Sequence, residues 1–456
     1  MIRTFSAQEG WAARVSSIGA VFGAAAAAVM WASQSIAAKG VMGVAEVGAA
    51  ALAPVAAWLA WARPLIFPYG LYIMIVPLDA LTQLSRAEGT IARLLGIVSA
   101  AALVLYAIRM RSLRTPPRAI GWLALLCGWM ALSTLWSIGD QPGREATTLL
   151  ELGGLYLVVS CFPMQRRDMI PLLALILLGG LLAAAVGIYE FHAGGGMQSQ
   201  ALQDNGRIQV TLGALKVDPN LYSDALLLPF AIAITWFARA SRLLPGVAAL
   251  TAIAILLTAL ALAASREAML ALVVEAVVLV TLLHAWKRVV VPMLILMGAA
   301  LTVYPNVILR ALADVGGGYG RTSIWHVGLA AFLQHPLIGT GAGSFTAVYD
   351  KWYLRVFETY DVGWGMASHD LIIHYGVELG AVGLVLLFGW WISQWFLARG
   401  LPRTGTLGDF RAICIASLVA LGLVSFVVDL FDYKFLWLTF GLIAQVRNVS
   451  LTGEKT

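Results

Sequence analysis

The chain has 456 residues, of which 60% are hydrophobic and 12% charged, far from the roughly 45–50% apolar and 25% charged of a soluble domain, and a soluble enzyme is excluded. Its 30 Lys and Arg against 24 Asp and Glu leave a net charge of +6. The basic residues stand singly between apolar runs rather than in patches, so the charge reads as membrane orientation and no nucleic-acid partner is expected. Cys127, Cys161 and Cys414 lie in or at the ends of apolar runs without CxxC or His-rich spacing, which indicates packed thiols rather than disulfides or a zinc site.

The N-terminus carries Arg3 and Arg14 before an Ala-rich run; because a second span follows closely, a retained helix is expected rather than a cleaved leader. At roughly 20 residues per crossing, the apolar runs predict an all-α integral membrane protein of about 14 transmembrane helices, with about 12 as the lower count. In chain order they fall near 15–33, 43–62, 66–82, 91–109, 120–137, 146–162, 170–190, 221–238, 244–263, 267–286, 289–304, 371–396, 411–427 and 432–447. Alternate loops hold most of the basic residues, among them Arg109, Arg111, Arg114 and Arg118, then Arg166 and Arg167, and Arg399, Arg403 and Arg411. By the positive-inside rule those loops are cytoplasmic.

Five regions follow: N-terminal helices over 1–190, a first outer loop over 191–220, central helices over 221–304, a long outer loop over 305–370, and C-terminal helices with a short tail over 371–456. No internal repeat relates the two halves, which weakens a transporter reading. Both long loops face outward, and a rigid scaffold that holds loops is where function concentrates. The first loop ends in Asp218-Pro219-Asn220, a turn leading into a helix.

The second loop carries Gly316 to Arg321, then Trp325, His326, His335, the glycine turn Gly339-Thr340-Gly341-Ala342-Gly343, and Ser368-His369-Asp370 at the mouth of a helix. Glycine turns let backbone N–H groups approach an anion, though a plain loop turn is as good a reading. Arg266, in Ser265-Arg266-Glu267 between two helices, has the fork that holds phosphate oxygens; an interfacial arginine paired with Glu267 is the ordinary alternative. Arg207 and Arg321 share its face, and three convergent arginines would suit a pyrophosphate. His369, between water and membrane, is placed to accept a proton from a hydroxyl near neutral pH. His374, one turn further in, reads as hydrogen-bonded within the bundle. Glu275 lies mid-helix, while Asp224, Glu378, Asp429 and Asp432 sit nearer helix ends and read as interhelical support.

The Asp218-Pro219-Asn220 turn, Ser265-Arg266, Gly320-Arg321-Thr322-Ser323-Ile324-Trp325, His335-Pro336-Leu337-Ile338-Gly339-Thr340-Gly341, and Ser368-His369-Asp370 with Glu378-Leu379-Gly380 resemble, in order and spacing, the O-antigen ligase and polymerase superfamily of bacterial polytopic glycosyltransferases. The resemblance covers roughly 200–390 and implies a glycosyltransferase C-type-like fold in the inner membrane with a periplasmic site. It implies an undecaprenyl-pyrophosphate-linked glycan donor, a lipid A-core or glycan acceptor, and no cofactor. It places the pyrophosphate on Arg266 and Arg321, with Arg207 added from its shared face, and the acceptor hydroxyl on His369, supported by Asp370 and Glu378. Asp370 stands where the family often has Asn, and a carboxylate there is expected to raise the pKa of His369.

Polyprenyl pyrophosphate is already an activated leaving group, so fixed arginines suffice to stabilise its departing charge. With no Asp-x-Asp pair in an outer loop, a metal-independent, inverting transfer is expected. Ligation to lipid A-core leads; polymerisation of polyprenyl-linked repeats of O-antigen or exopolysaccharide is the alternative. Glycosylation of a protein acceptor is weakened by the lack of a large soluble domain. A transporter or flippase for a lipid-linked sugar is the reading from a different class.

Overall fold

The computed structural model describes residues 41–85, 89–193, 211–212, 215–216, 218–305, 321–356 and 365–453. Residues 1–63 and 64–456 form two units. The described part of the first is helix α1 (Val41–Ala62), with Leu52, Val55, Trp58 and Trp61 exposed.

The second unit is helical. It runs through α2 (Tyr69–Ile75), α3 (Ile91–Arg109), α4 (Ile120–Ser133), α5 (Pro142–Cys161), α6 (Arg166–Ala193), α7 (Pro219–Asp224), α8 (Leu227–Arg239), α9 (Leu243–Ala263), α10 (Arg266–Leu283) and α11 (Trp286–Val303). After these come α12 (Arg321–Gln334), α13 (Phe345–Val356), α14 (Leu371–Arg399), α15 (Gly405–Val424) and α16 (Lys434–Gly453). Two minimal antiparallel hairpins, Gln83–Ser85 with Gly89–Thr90 and Thr211–Leu212 with Leu215–Lys216, add no sheet layer.

Among the described residues six segments are long and apolar enough to cross a membrane: Ile91–Arg109, Arg166–His192, Pro219–Arg239, Leu243–Ala263, Leu371–Arg399 and Gly405–Val424. With the shorter apolar helices they make a multi-pass membrane protein of the all-α class. The predicted first span and Arg207 lie outside the described residues.

Three expected spans are broken, two of them at prolines and the third, over 371–396, at Gly380. Over 66–82, α2 gives way to a 3-10 turn, Val76–Thr82, because Pro77 has no N–H to continue the α-helical ladder. Over 221–238, α7 ends at Asp224 and α8 restarts at Leu227, with Pro229 removing the bond that would have joined them. The long outer segment is not a bare loop either, for it contains α12 and α13.

The core lies where α8, α10, α15 and α16 pack together. Leu227 through Ile234 of α8 are all buried. Beside them an aromatic cluster joins α5, α14 and α16: Tyr156 meets Trp390 edge-on at 4.9 Å, and Trp390 meets Phe440 at 5.4 Å, the geometry aromatic quadrupoles favour. Gln394 donates to the Tyr156 hydroxyl at 3.1 Å. Glu275, fully buried on α10, accepts from Ser417 of α15 at 2.7 Å. It therefore ties two closely packed helices together, which accounts for a mid-helix carboxylate that the sequence left unassigned.

Helix α14 is interrupted at Gly380, whose φ of 66° and ψ of −167° are not helical. The break frees backbone groups that a membrane interior cannot leave unpaired. The stretch 336–341 takes them up reciprocally. Thr340 N donates to Val377 O at 2.9 Å and Gly341 N to Glu378 O at 2.8 Å, while Ala381 N donates to Pro336 O at 2.8 Å and Val382 N to Leu337 O at 3.2 Å. The backbones approach so closely that a Cβ on Gly339 would lie 2.3 Å from Glu378 O, and one on Gly380 the same distance from Leu337 O. With φ positive at both positions, only glycine fits.

Candidate functional site

Three helix starts converge at one end of the second unit. Asp218 caps α7 by accepting from Asn220 N at 2.8 Å, with Pro219 next in the helix, the arrangement that Asp-Pro-Asn encodes. Ala264 ends α9 in the left-handed conformation, and Ser265 caps α10 through Ala268 N at 3.4 Å, which puts Arg266 first on the new helix. Asp370 caps α14 through Ile373 N at 2.7 Å. His369, just before that cap, is itself left-handed with φ of 50°, an uncommon state for a side chain of its size and one that clusters at functional sites.

A cavity of about 260 Å³ opens between the starts of α7 and α14, and neither Arg266 nor Arg321 is among its lining residues. Its wall includes His369, His374, Glu145, Asp218, Glu378, Asp429 and Asp432, together with Phe345, Thr346 and Tyr433. Arg321, first residue of α12, stands near Glu267 with Nη2 4.0 Å from Oε1, and α12 is moored to the His369 segment by Trp325 Nε1, which donates to Ser368 O at 3.2 Å. Burial, then the charge of Arg321, pushes the His369 imidazole below its ordinary 6.5, against opposing pulls from Asp218, Glu267 and Asp429. Asp224 lies in the field of the same Glu267, Asp218 and Arg321, with both carboxylate oxygens buried and unbonded.

Residues 251–388 match the family model for O-antigen ligase. That stretch, under half of the chain, is similar to the O-antigen ligase and polymerase superfamily. A search of curated proteins finds no match. The family supports a ligase-like, glycan-transferring membrane protein, and its matched region holds Arg266, Arg321, His369, Asp370, His374 and Glu378. Glu145, Asp218, Asp429 and Asp432, which complete the cavity wall, lie outside it.

Two expectations from the sequence are corrected. The turn at 339–343 is no anion cradle, because its N–H groups are already committed. Those of Thr340 and Gly341 bond α14, and Ala342 N donates to Ser133 Oγ at 3.1 Å. Gly343 N is shared between Glu378 Oε2 at 2.9 Å and Glu145 Oε2 at 3.1 Å, and Phe345 N donates to Glu378 Oε1 at 2.8 Å. The turn thus grips the protein's own carboxylates. The other glycine turn, 316–320, lies outside the described residues. The second correction concerns His369, whose pKa lies below and not above its ordinary value, by burial and then Arg321, with Asp370 beside it acting as a helix cap. The Asp370 carboxylate is turned to the α14 amides, and burial raises its own pKa.

His374 is where sequence reasoning saw least. Hydrogen bonding within the bundle was expected, but its partners are carboxylates from three parts of the chain. Nδ1 lies 3.1 Å from Asp429 Oδ2, and Nε2 lies 3.3 Å from Glu378 Oε2 and 3.6 Å from Glu145 Oε2. Phe345 stacks on the ring, centroids 5.8 Å apart. Only the spacing of four between His374 and Glu378 on one helix face was available to find this. Among the described residues, Glu145, His374 and Glu378 could also converge on a metal ion, their ligand atoms lying within 4.8 Å of one another.

Proposed function

We propose that this protein transfers a glycan from undecaprenyl pyrophosphate to a hydroxyl of a lipid A-core sugar on the periplasmic face of the bacterial inner membrane. The observation that carries this reading is His369, held left-handed on the cavity wall with its proton affinity depressed by burial and by Arg321. A neutral imidazole is what a general base requires, and a fixed guanidinium is what a departing pyrophosphate requires.

In the reaction the acceptor oxygen attacks the anomeric carbon, and its proton passes to the free ring nitrogen of His369. The bond from that carbon to the pyrophosphate oxygen breaks, and undecaprenyl pyrophosphate leaves with the electron pair. A single direct displacement inverts the anomeric configuration. Arg266 and Arg321, at the starts of α10 and α12, hold the pyrophosphate, with Arg207 as a third candidate. Asp370 fixes the start of α14, and Glu378 fixes the 343–345 turn that walls the cavity.

A second reading, polymerisation of polyprenyl-linked repeats, draws support from the cavity itself. Five acidic side chains line it, a setting that accepts hydrogen bonds from the hydroxyl or amino groups of an acceptor sugar. The two readings share a donor and differ in acceptor. Purified protein in proteoliposomes with undecaprenyl-pyrophosphate glycan, given either lipid A-core or no further acceptor, separates them. Glycan on lipid A-core supports ligation, lengthened polyprenyl-linked glycan without it supports polymerisation, and an unconsumed donor contradicts both.

A further inference from the structure

The polar side chains of the cavity wall fall into two sets. One set is spent on the protein itself. Asp218 caps α7, Glu145 and Glu378 accept from the 343–345 turn, and Asp429 faces His374. The other set is open. Asp432, Tyr433 and Thr346 line the same cavity, and among the described residues their side-chain oxygens have no hydrogen-bond partner. Asp432 and Thr346 are exposed and Tyr433 is half-buried, so a ligand in the cavity can reach all three.

The segment that carries Asp432 and Tyr433 is nonetheless fixed. Phe431 N donates to Asp429 Oδ1 at 3.4 Å, Tyr433 N to Leu430 O at 3.0 Å, and Trp437 Nε1 to Phe431 O at 2.7 Å. The Tyr433 ring stacks with that of Phe435, centroids 5.8 Å apart. The neighbouring cation, Lys434, donates to Asp79 Oδ2 at 2.6 Å, and Thr90 holds the other oxygen of Asp79 at 2.5 Å. Asp432 therefore stands on a rigid backbone with no structural bond and, among the described residues, no ion pair. Open polar groups on a fixed support are what a binding site presents to its ligand.

Three features say what that ligand is. Arg266 and Arg321, to which the pyrophosphate is assigned, are not among the lining residues, so the cavity is left to another part of the reacting pair. His369 is on its wall, so the occupant brings the hydroxyl that loses its proton. The volume of about 260 Å³ is below the roughly 300–1,000 Å³ of a site for a drug-sized ligand, which suits one sugar ring rather than a chain. We propose that Asp432, Tyr433 and Thr346 bind the acceptor sugar of lipid A-core, with Asp432 accepting from hydroxyls beside the one that reacts. A carboxyl has two oxygens to offer such neighbours, and the Tyr433 and Thr346 hydroxyls can each donate and accept. The inference rests on the transfer reading above and gives these residues no part in moving the proton or holding the pyrophosphate.

Steady-state transfer by the full chain in proteoliposomes, with lipid A-core and undecaprenyl-pyrophosphate glycan varied separately, tests it. Asp432→Ala should raise the KM for lipid A-core at least about tenfold, the loss expected for hydrogen bonds to an acidic group, and Tyr433→Phe about fivefold, for one neutral bond. In both variants kcat and the KM for the donor should stay within about twofold of the wild type, the pattern of lost binding without lost chemistry. Binding of delipidated core oligosaccharide in the absence of donor should weaken by the same factors, at a matched thermal midpoint. Tyr433→Phe keeps the ring and its packing, and so carries the test if Asp432→Ala lowers that midpoint. An unchanged KM for lipid A-core beside normal wild-type transfer would overturn this assignment alone, as would a rise confined to the donor KM. A wild-type protein that consumes no donor would remove the reaction on which the assignment rests, and overturn both.

Discussion

His369 and His374 belong to one cavity wall yet live in opposite surroundings. Each ring nitrogen of His374 faces a carboxylate, its ring is covered by Phe345, and its partners come from α5, α14 and the segment before α16. His369 is left-handed, has no carboxylate in hydrogen-bond contact among the described residues, and has the Arg321 guanidinium as its strongest charged neighbour there. The comparison teaches that a histidine's task is set by what satisfies it. A ring with an acceptor for each N–H is anchored, whereas one with a depressed pKa and an open cavity before it is free to take a proton.

The largest expected effect falls on the free histidine. His369→Ala should lower transfer by at least about 100-fold, the lower bound for losing a general base, with expression and thermal midpoint preserved. The anchored site should fail in the other way. Glu378 is the acceptor for Gly343 N and Phe345 N and neighbours His374, so Glu378→Ala leaves buried donors unpaired and should cost about 3–5 kcal/mol of stability, read as a drop in thermal midpoint.

Arg321→Gln sharpens the contrast. Beyond its loss of rate, it removes the positive charge that lowers His369. The general base must be neutral, so the wild-type rate falls only as pH drops through a value below 6.5, and in the variant that acid limb should move to higher pH. A limb that stays put would show that Arg321 does not set the base. Chelation should change the rate less than about twofold, because His374 already occupies the space among its carboxylates with hydrogen-bonding contacts; a large loss restored by a divalent cation would make Glu145, His374 and Glu378 a metal centre. The smallest effect belongs to Asp370→Ala, which removes one helix cap at about 1 kcal/mol.

Much of this was legible because it is local. Apolar runs gave most helix positions, and Asp218-Pro219, Ser265-Arg266 and His369-Asp370 announced the helix starts where the site forms. What was hidden depends on contacts distant in sequence. Nothing near Gly380 says that α14 breaks there, since the bonds that make the break tolerable come from residues 336–341. Glu145 reads as an ordinary first-turn acid of α5, and Asp429 as a residue between spans, until folding sets both beside His374. The proline breaks at Pro77 and Pro229 were legible in principle but were masked by the continuous hydropathy around them.

Release of undecaprenyl pyrophosphate from a defined glycan donor, measured in one turnover with wild-type protein and His369→Ala at equal folded concentration, tests the central claim most directly. The account predicts release and a new glycosidic bond from the wild type, with at least about a 100-fold slower reaction in the variant. Equal rates in the two proteins would contradict it and return His369 to a structural role.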